Sequence, residues 1–301
     1  AEYEKGAEGT GELQLPSWMF NLSGVDLDKF TDYLAEHPEE LPYELNMPHI
    51  RPGYNAEYFK NNRGHVFFGL NSLGSRLRAE GKCPIDRDTI IYIQQPMPGT
   101  VAINTIRILN FDGSDIFDLT RGEQEAHLQI IPLVNMLKEY VPGFENAFVS
   151  SVNPSIGVRE SRRLMGINKL TKEDAIAGRV PHDTIGLFSY FIDIHSGSGE
   201  GTYTQSIYEP YGVPYGCTIS KNIEGLMMSG RCISADAVAF GSSRIMTLCM
   251  AVGEGAGTGA ALAIQNNVSP KDIDIDQLRN ILIDHGAILS VDQVIPMTRK
   301  D

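Results

Sequence analysis

The sequence is short of the features that announce the commonest chemistries. Its 301 residues include four cysteines and one tryptophan. Cys83, Cys217, Cys232 and Cys249 are widely spaced and form no C-x-x-C pair, which argues against a disulfide framework or a cysteine-rich zinc site and for a reducing, cytoplasmic setting. The seven histidines contain no H-E-x-x-H, and nothing else in the sequence supports a metal site. No run approaches the ~18–20 consecutive apolar residues of a spanning helix, and no secretory leader opens the chain. A G-x-S-x-G elbow is missing too, so a serine hydrolase reading rests on nothing beyond the presence of Ser, His and Asp. Positive charge is scarce: 25 Lys and Arg against 38 Asp and Glu give a formal net charge of -13. That balance argues against nucleic acid and anionic membrane surfaces as main partners.

What remains is ordinary globular composition, 42% hydrophobic and 21% charged, long enough for one large or two medium domains. Residues 1–14 are rich in Gly and Glu and read as a mobile lead-in. Ser17 to Leu22 reads as a strand. Asp26 caps a short helix from Leu27 to Ala35, which Pro38 ends. A proline- and tyrosine-rich loop passage runs from Glu39 to Arg63, followed by strands at 65–69, 89–95 and 101–109. After a turn at Asn110–Gly113, Thr120 and Glu123 form a capping box that predicts a helix from about Arg121 to Tyr140. Its broad apolar face includes Leu128, Ile131, Leu133, Val134 and Leu137, and Pro132 predicts a kink.

The second half has stronger patterning. Residues 187–194 read as one continuous apolar strand, 202–208 as an alternating strand, and 223–229 as a short strand that runs into Gly230-Arg231. One helix is expected from Ser243 to about Asn266 despite Gly253, Gly255, Gly257 and Gly259. Four glycines at roughly 0.8–1 kcal/mol each against Ala would spoil it unless a face packs backbone-close on a neighbour. A final helix has Asp274 as cap and Gly286 as stop. The free N–H groups at a helix start suit negative charge, so the unit from Ile223 to Ile264 is where chemistry is expected. On spacing alone a tightly packed core helix accounts for the same pattern.

The runs Leu226 to Ser234, Gly241 to Met246 and Gly253 to Ala261 resemble the C-terminal signature of FAD-dependent oxidoreductases related to the fumarate reductase flavoproteins. Gly11 to Gln14 through Gly24 to Asp26, Gly157 to Arg163, Leu170 to Asp174 and Ile192 to His195 resemble the same family in the right order. The resemblance implies a mixed α+β fold. Residues 1–205 would form a substrate, or cap, domain with an antiparallel sheet, 206–268 would return as the closing strand and helix of an FAD-binding fold, and 269–301 would be a helical tail. It implies FAD as cofactor and hydride transfer between flavin N5 and a small organic substrate, with an anion such as a carboxylate among the candidates. Gly230 and Arg231 would lie near the ribityl and pyrophosphate. Gly241, Ser242, Ser243, Arg244, Ile245 and Met246 would present a helix start to the pyrimidine ring, with Ser242 or Ser243 as its cap.

Two departures qualify the resemblance. No G-x-G-x-x-G unit is present, and Gly197 to Gly201 has the wrong spacing for one; an N-terminal dinucleotide-binding segment is therefore expected to be missing and to act as a partner. Gly216 also stands where relatives often carry Arg. For catalysis, His195 ends an apolar strand and suits a proton donor, though a packed strand-end histidine is the plainer reading. Arg159, Arg162 and Arg163 form the densest basic group, suited to a carboxylate, with pairing to Glu160 as the alternative. Against the enzyme stands a non-catalytic ligand-binding or assembly module.

Overall fold

The computed structural model describes residues 1–41, 55–62, 64–195 and 202–293. The fold is mixed α/β and divides into two compact units. One consists of Leu15–Arg159; the other joins Ala1–Gln14 to the described chain from Glu160 onward. These boundaries lie away from positions 205 and 268.

The chain opens with the two-residue strand β1 (Tyr3–Glu4) and then enters the inserted unit. There it forms β2 (Ser17–Ser23), α1 (Leu27–Glu36), α2 (Ala56–Asn61), β3 (Val66–Gly69), α3 (Asn71–Ala79), β4 (Ile90–Gln94), β5 (Val101–Arg107), α4 (Ile116–Tyr140) and β6 (Phe148–Val152). The five strands make one antiparallel sheet in the order β3-β4-β5-β2-β6. Alternation in β2 turns Trp18, Phe20 and Leu22 inward, as a half-buried strand requires. They share a core with Phe30 and Leu34 of α1, Phe67, Tyr92 and Ile103 of the sheet, and Leu133 and Leu137 of α4. Asp26 caps α1 by accepting from the Lys29 N–H at 2.9 Å. Ser17 and Gly157 exchange backbone hydrogen bonds of 3.2 and 2.8 Å, so the insert begins and ends side by side.

Helix α4 starts five residues before the expected Arg121. Asp115 is the cap, accepting from Phe117 N at 2.8 Å and Asp118 N at 3.4 Å. Thr120 lies inside the helix and donates its hydroxyl to Ile116 O at 3.0 Å. Leu133, Val134 and Leu137 are buried as expected, whereas Leu128 and Ile131 are exposed. Pro132 lies within the helix. Helix α2 occupies part of the passage read as loop; most of that passage, residues 42–54, lies outside the described residues. Sequence patterning passed over α3 and β6.

The flanking unit continues with β7 (Arg163–Leu164), α5 (Lys172–Ile176), β8 (Thr184–Phe188), β9 (Ile192–His195), β10 (Thr202–Gln205), β11 (Tyr211–Pro214), α6 (Ala237–Ser243), α7 (Met246–Asn266) and α8 (Ile275–Asp284). Its paired strands are β1–β7, β9–β10 and β8–β11, all antiparallel. The lead-in is pinned rather than mobile. Beyond the β1–β7 pairing, Arg163 donates to Gly6 O at 2.8 Å, and Glu160 accepts the Gln14 N–H at 3.0 Å. The expected strand over 187–194 is two strands, because β8 and β9 pair with different partners. The expected strand over 223–229 is a set of turns, with Met227 alone bridging to Ile219. Helix α8 carries its Asp274 cap as predicted.

Among the described residues α7 is long and apolar enough to cross a membrane by length and composition. Leu248, Val252, Gly255, Gly259 and Leu262 are buried in the unit's core, which gives a core helix the same composition. The glycines divide as close packing demands. A Cβ on Gly255 would lie 2.6 Å from Ile185 Cβ, and one on Gly259 would collide with the Tyr215 ring and hydroxyl, whereas Gly253 and Gly257 face open space.

Candidate functional site

The expected single helix from Ser243 is two helices. Asp236 caps α6 by accepting from Val238 N and Ala239 N at 2.9 and 2.7 Å, and α6 ends at Ser243. Arg244 N–H closes it by donating to Phe240 O at 3.1 Å. Ile245 turns extended (φ −73°, ψ 141°) and leads α7, with no side-chain cap. Ser242 and Ser243 therefore cap nothing, and the Arg244 N–H is already bonded. The physical reason is Asp236, a stronger cap signal nine residues upstream of Ile245, which starts a helix that must end before α7 begins.

Ser242 is buried and serves the fold: it donates to Tyr190 O at 2.5 Å and accepts from the Tyr211 hydroxyl at 2.8 Å. Burial pushes the Tyr211 phenol well above its ordinary pKa, so this donor stays protonated. Gly241 belongs to the interior of α6, where a Cβ would approach Ile194 Cγ1 at 2.9 Å and Asp193 O at 3.2 Å. It is a packing position against β9.

The start of α7 carries no side-chain cap. A helix leaves its first N–H groups without partners inside the helix, and here these are Met246, Thr247 and Leu248. The Cys249 N–H is the first to close, onto Ile245 O at 3.0 Å. Just before them, Ser243 Oγ and Arg244 Nε are buried polar atoms with no hydrogen-bond partner. Two depressions flank this start. One, of about 470 Å³, is lined by Phe188, Ser189, Tyr190, Pro210, Ile245 and Thr247, among others. The other, about 310 Å³, is lined by Arg231, Met246, Cys249 and Met250. Gly230 (φ +68°) opens the single turn that carries Arg231, and Arg231 Nε donates to Arg244 O at 3.3 Å. Gly230, Arg231, Arg244, Ile245 and Met246 are thus gathered at this junction.

Of the three residues read as catalytic, His195 is joined to the junction through one side chain. Its Nε2 lies 3.2 Å from Asp193 Oδ1, and Asp193 Oδ2 accepts from Arg244 Nη2 at 2.8 Å. Arg163 is a correction. It is 1% exposed and engaged through all three nitrogens: Nε donates to Ala235 O at 3.0 Å, Nη1 pairs with Glu160, and Nη2 donates to Gly6 O. Buried and so bonded, it serves the fold. Arg162 lies over the Tyr3 ring at 5.3 Å. Arg159 ends the inserted unit, half-buried. Sequence reasoning missed Asp193 and Thr247. The D-x-H alternation, which sets both side chains on one strand face, was the available signal for Asp193.

The residues at the junction fit the ring end of a flavin. Apolar and aromatic walls suit the faces of a flat heterocycle, and the first N–H groups of α7 suit its carbonyl edge. A phosphate cradle is not found among the described residues, and Gly197 to Gly201 lies outside them.

Residues 1–282 match the family model for FAD dependent oxidoreductases. The chain belongs to the FAD-dependent oxidoreductase family. FAD is therefore its cofactor, and redox chemistry linked to a flavin is its business. Comparison with curated proteins and with solved structures finds no match.

Proposed function

We propose that this FAD-dependent oxidoreductase transfers hydride between flavin and a small, anionic organic substrate, in the manner of the fumarate reductase flavoproteins it resembles. Met246, Thr247 and Leu248, at the start of α7, would hold the isoalloxazine end of the cofactor. The observation that carries this is the uncapped start itself, whose Ile245 and Thr247 line an aromatic-walled depression.

FAD, when bound, supplies the hydride-exchanging N5. The protein does the rest. The N–H groups of Met246, Thr247 and Leu248, with the positive end of α7 behind them, stabilise negative charge at the ring's carbonyl edge by about 0.3–2 kcal/mol. Phe188 and Tyr190 exclude water from one side. Arg231, on the turn that Gly230 opens, holds an anionic group, either a phosphate of the cofactor or a carboxylate of the substrate. His195 gives or takes the proton that accompanies the hydride.

The test is titration of FAD into the full chain, read by flavin fluorescence. It continues with the potential of the bound flavin and with anaerobic reoxidation of the dithionite-reduced protein by fumarate as the probe acid. Met246→Pro keeps the first helical turn, where proline is tolerated, and deletes one donor. The flavin potential should fall while folding is retained. An unchanged potential would remove the ring from the start of α7. A chain that takes up no FAD would favour a ligand-binding or assembly module instead.

A further inference from the structure

We propose that Asp193 is a positioning residue for His195, held in place by Arg244, so that the α6–α7 junction and the proton-handling histidine form one unit. This rests on the reading of His195 given above and adds to it the residues through which His195 acts.

The three side chains come from two elements. Asp193 and His195 alternate on β9 and so share a face, and α6 packs against that strand, with Gly241 permitting the approach. Arg244 Nη2 donates to both Asp193 O at 3.1 Å and Asp193 Oδ2 at 2.8 Å. That double attachment fixes the carboxylate in plane, and the other oxygen faces His195 Nε2 at 3.2 Å. Arg244 is 6% exposed and His195 is 8% exposed, so water competes little for these bonds. Because a carboxylate only accepts, Nε2 carries the hydrogen that points at it. The ring is thereby held in the tautomer that carries hydrogen on Nε2. Carboxylate–imidazole pairs act in this way by fixing the tautomer and steadying the imidazolium.

Among the described residues, charge reaches this pair from both sides. Beyond Arg244, Glu160 feels its charge, and Glu160 is itself paired with Arg163. On the other side, β10 contributes Tyr203, opposite Ile194, with Lys172 5.8 Å from its ring.

The test uses the full chain labelled with ¹⁵N-histidine and long-range ¹H–¹⁵N correlation spectra. Wild type should show His195 with hydrogen on Nε2. Asp193→Asn should lose that preference and move the titration midpoint of the ring to lower pH. Arg244→Met should move it to higher pH, by leaving the Asp193 charge uncompensated, and Arg244→Lys should restore most of the wild-type behaviour. With FAD bound and fumarate as probe, Asp193→Asn should slow reoxidation about ten- to a hundredfold, the loss expected for one charged hydrogen bond. An Nδ1–H tautomer in wild type, or Asp193→Asn with an unaltered His195 spectrum, would overturn the positioning role. If His195→Gln instead reoxidises at the wild-type rate while the Asp193 spectra behave as expected, it is the proton-transfer reading of His195 that falls.

Discussion

His65 lies in the core of the inserted unit with both ring nitrogens engaged. Nδ1–H donates to Asn62 O at 2.8 Å, and Nε2 accepts from the Tyr92 hydroxyl at 3.0 Å. Because both bonds suit the neutral ring, burial has no charge compensation to meet, and it holds the His65 pKa below its ordinary value near 6.5. The unfolded chain therefore binds more protons than the folded one as pH falls through that value. Stability from the neutral ring is present above about pH 6.5 and is lost as pH falls towards the folded pKa. Trp18, the single tryptophan, is buried in the same core and reports on it. The urea midpoint read from Trp18 fluorescence should drop on acidification, and His65→Gln should flatten that drop while lowering the midpoint at neutral pH. Equal slopes for the two proteins would assign the acid sensitivity to other groups. The same question, what a buried polar group touches, decided Arg163. The sequence displayed three arginines close together, a pattern equally good for a substrate carboxylate and for Glu160. Only the fold brings the Ala235 and Gly6 carbonyls to the guanidinium and resolves the choice.

Helix α7 sets two demands on small residues, and they can be separated. Gly255 and Gly259 lie on the buried side, where a methyl group would meet Ile185 and Tyr215; Gly253 and Gly257 lie on the open side. Alanine at Gly255 or Gly259 should destabilise the chain by about 1–3 kcal/mol through overpacking. Alanine at Gly253 or Gly257 should stabilise it by roughly 0.8–1 kcal/mol through helix propensity. Thermal unfolding of the four single variants without cofactor checks this, and loss of stability at Gly253 or Gly257 would mean that their face is covered. At this scale much was legible beforehand. Asp26 and Asp274 announced α1 and α8, and apolar and aromatic runs announced β2, β3, β4 and β5. Legibility failed where two local signals competed. Asp115 outbid Thr120 for the start of α4, and Asp236 created α6 inside what apolar periodicity joined into one helix. It also failed where periodicity carries no information on pairing, as in the run that splits between β8 and β9. The candidate site inherits that error: the helix start lies at Ile245 and Met246, as part of the sequence pattern required, but without the serine cap.

The course of the whole chain makes residues 15–159 an insertion. The first fourteen residues belong with the chain after Glu160, and the insert's two ends meet through the reciprocal bonds between Ser17 and Gly157. Its hydrophobic cluster runs from Trp18 to Ile156 and draws on β2 to β5 and on α1 to α4. A body with its own core and adjoining ends meets the conditions for folding alone. Expressed by itself, 15–159 should unfold cooperatively in urea, with Trp18 emission moving from a buried to an exposed position in step with circular dichroism. Every residue assigned to the flavin ring, from Gly230 to Leu248, lies outside this segment. The excised insert should therefore leave the fluorescence of added FAD unaltered under conditions where the full chain quenches it. Tight FAD binding by the insert would move the cofactor site off α7. A non-cooperative transition with Trp18 exposed from the start would show that the insert's core is completed by the rest of the chain.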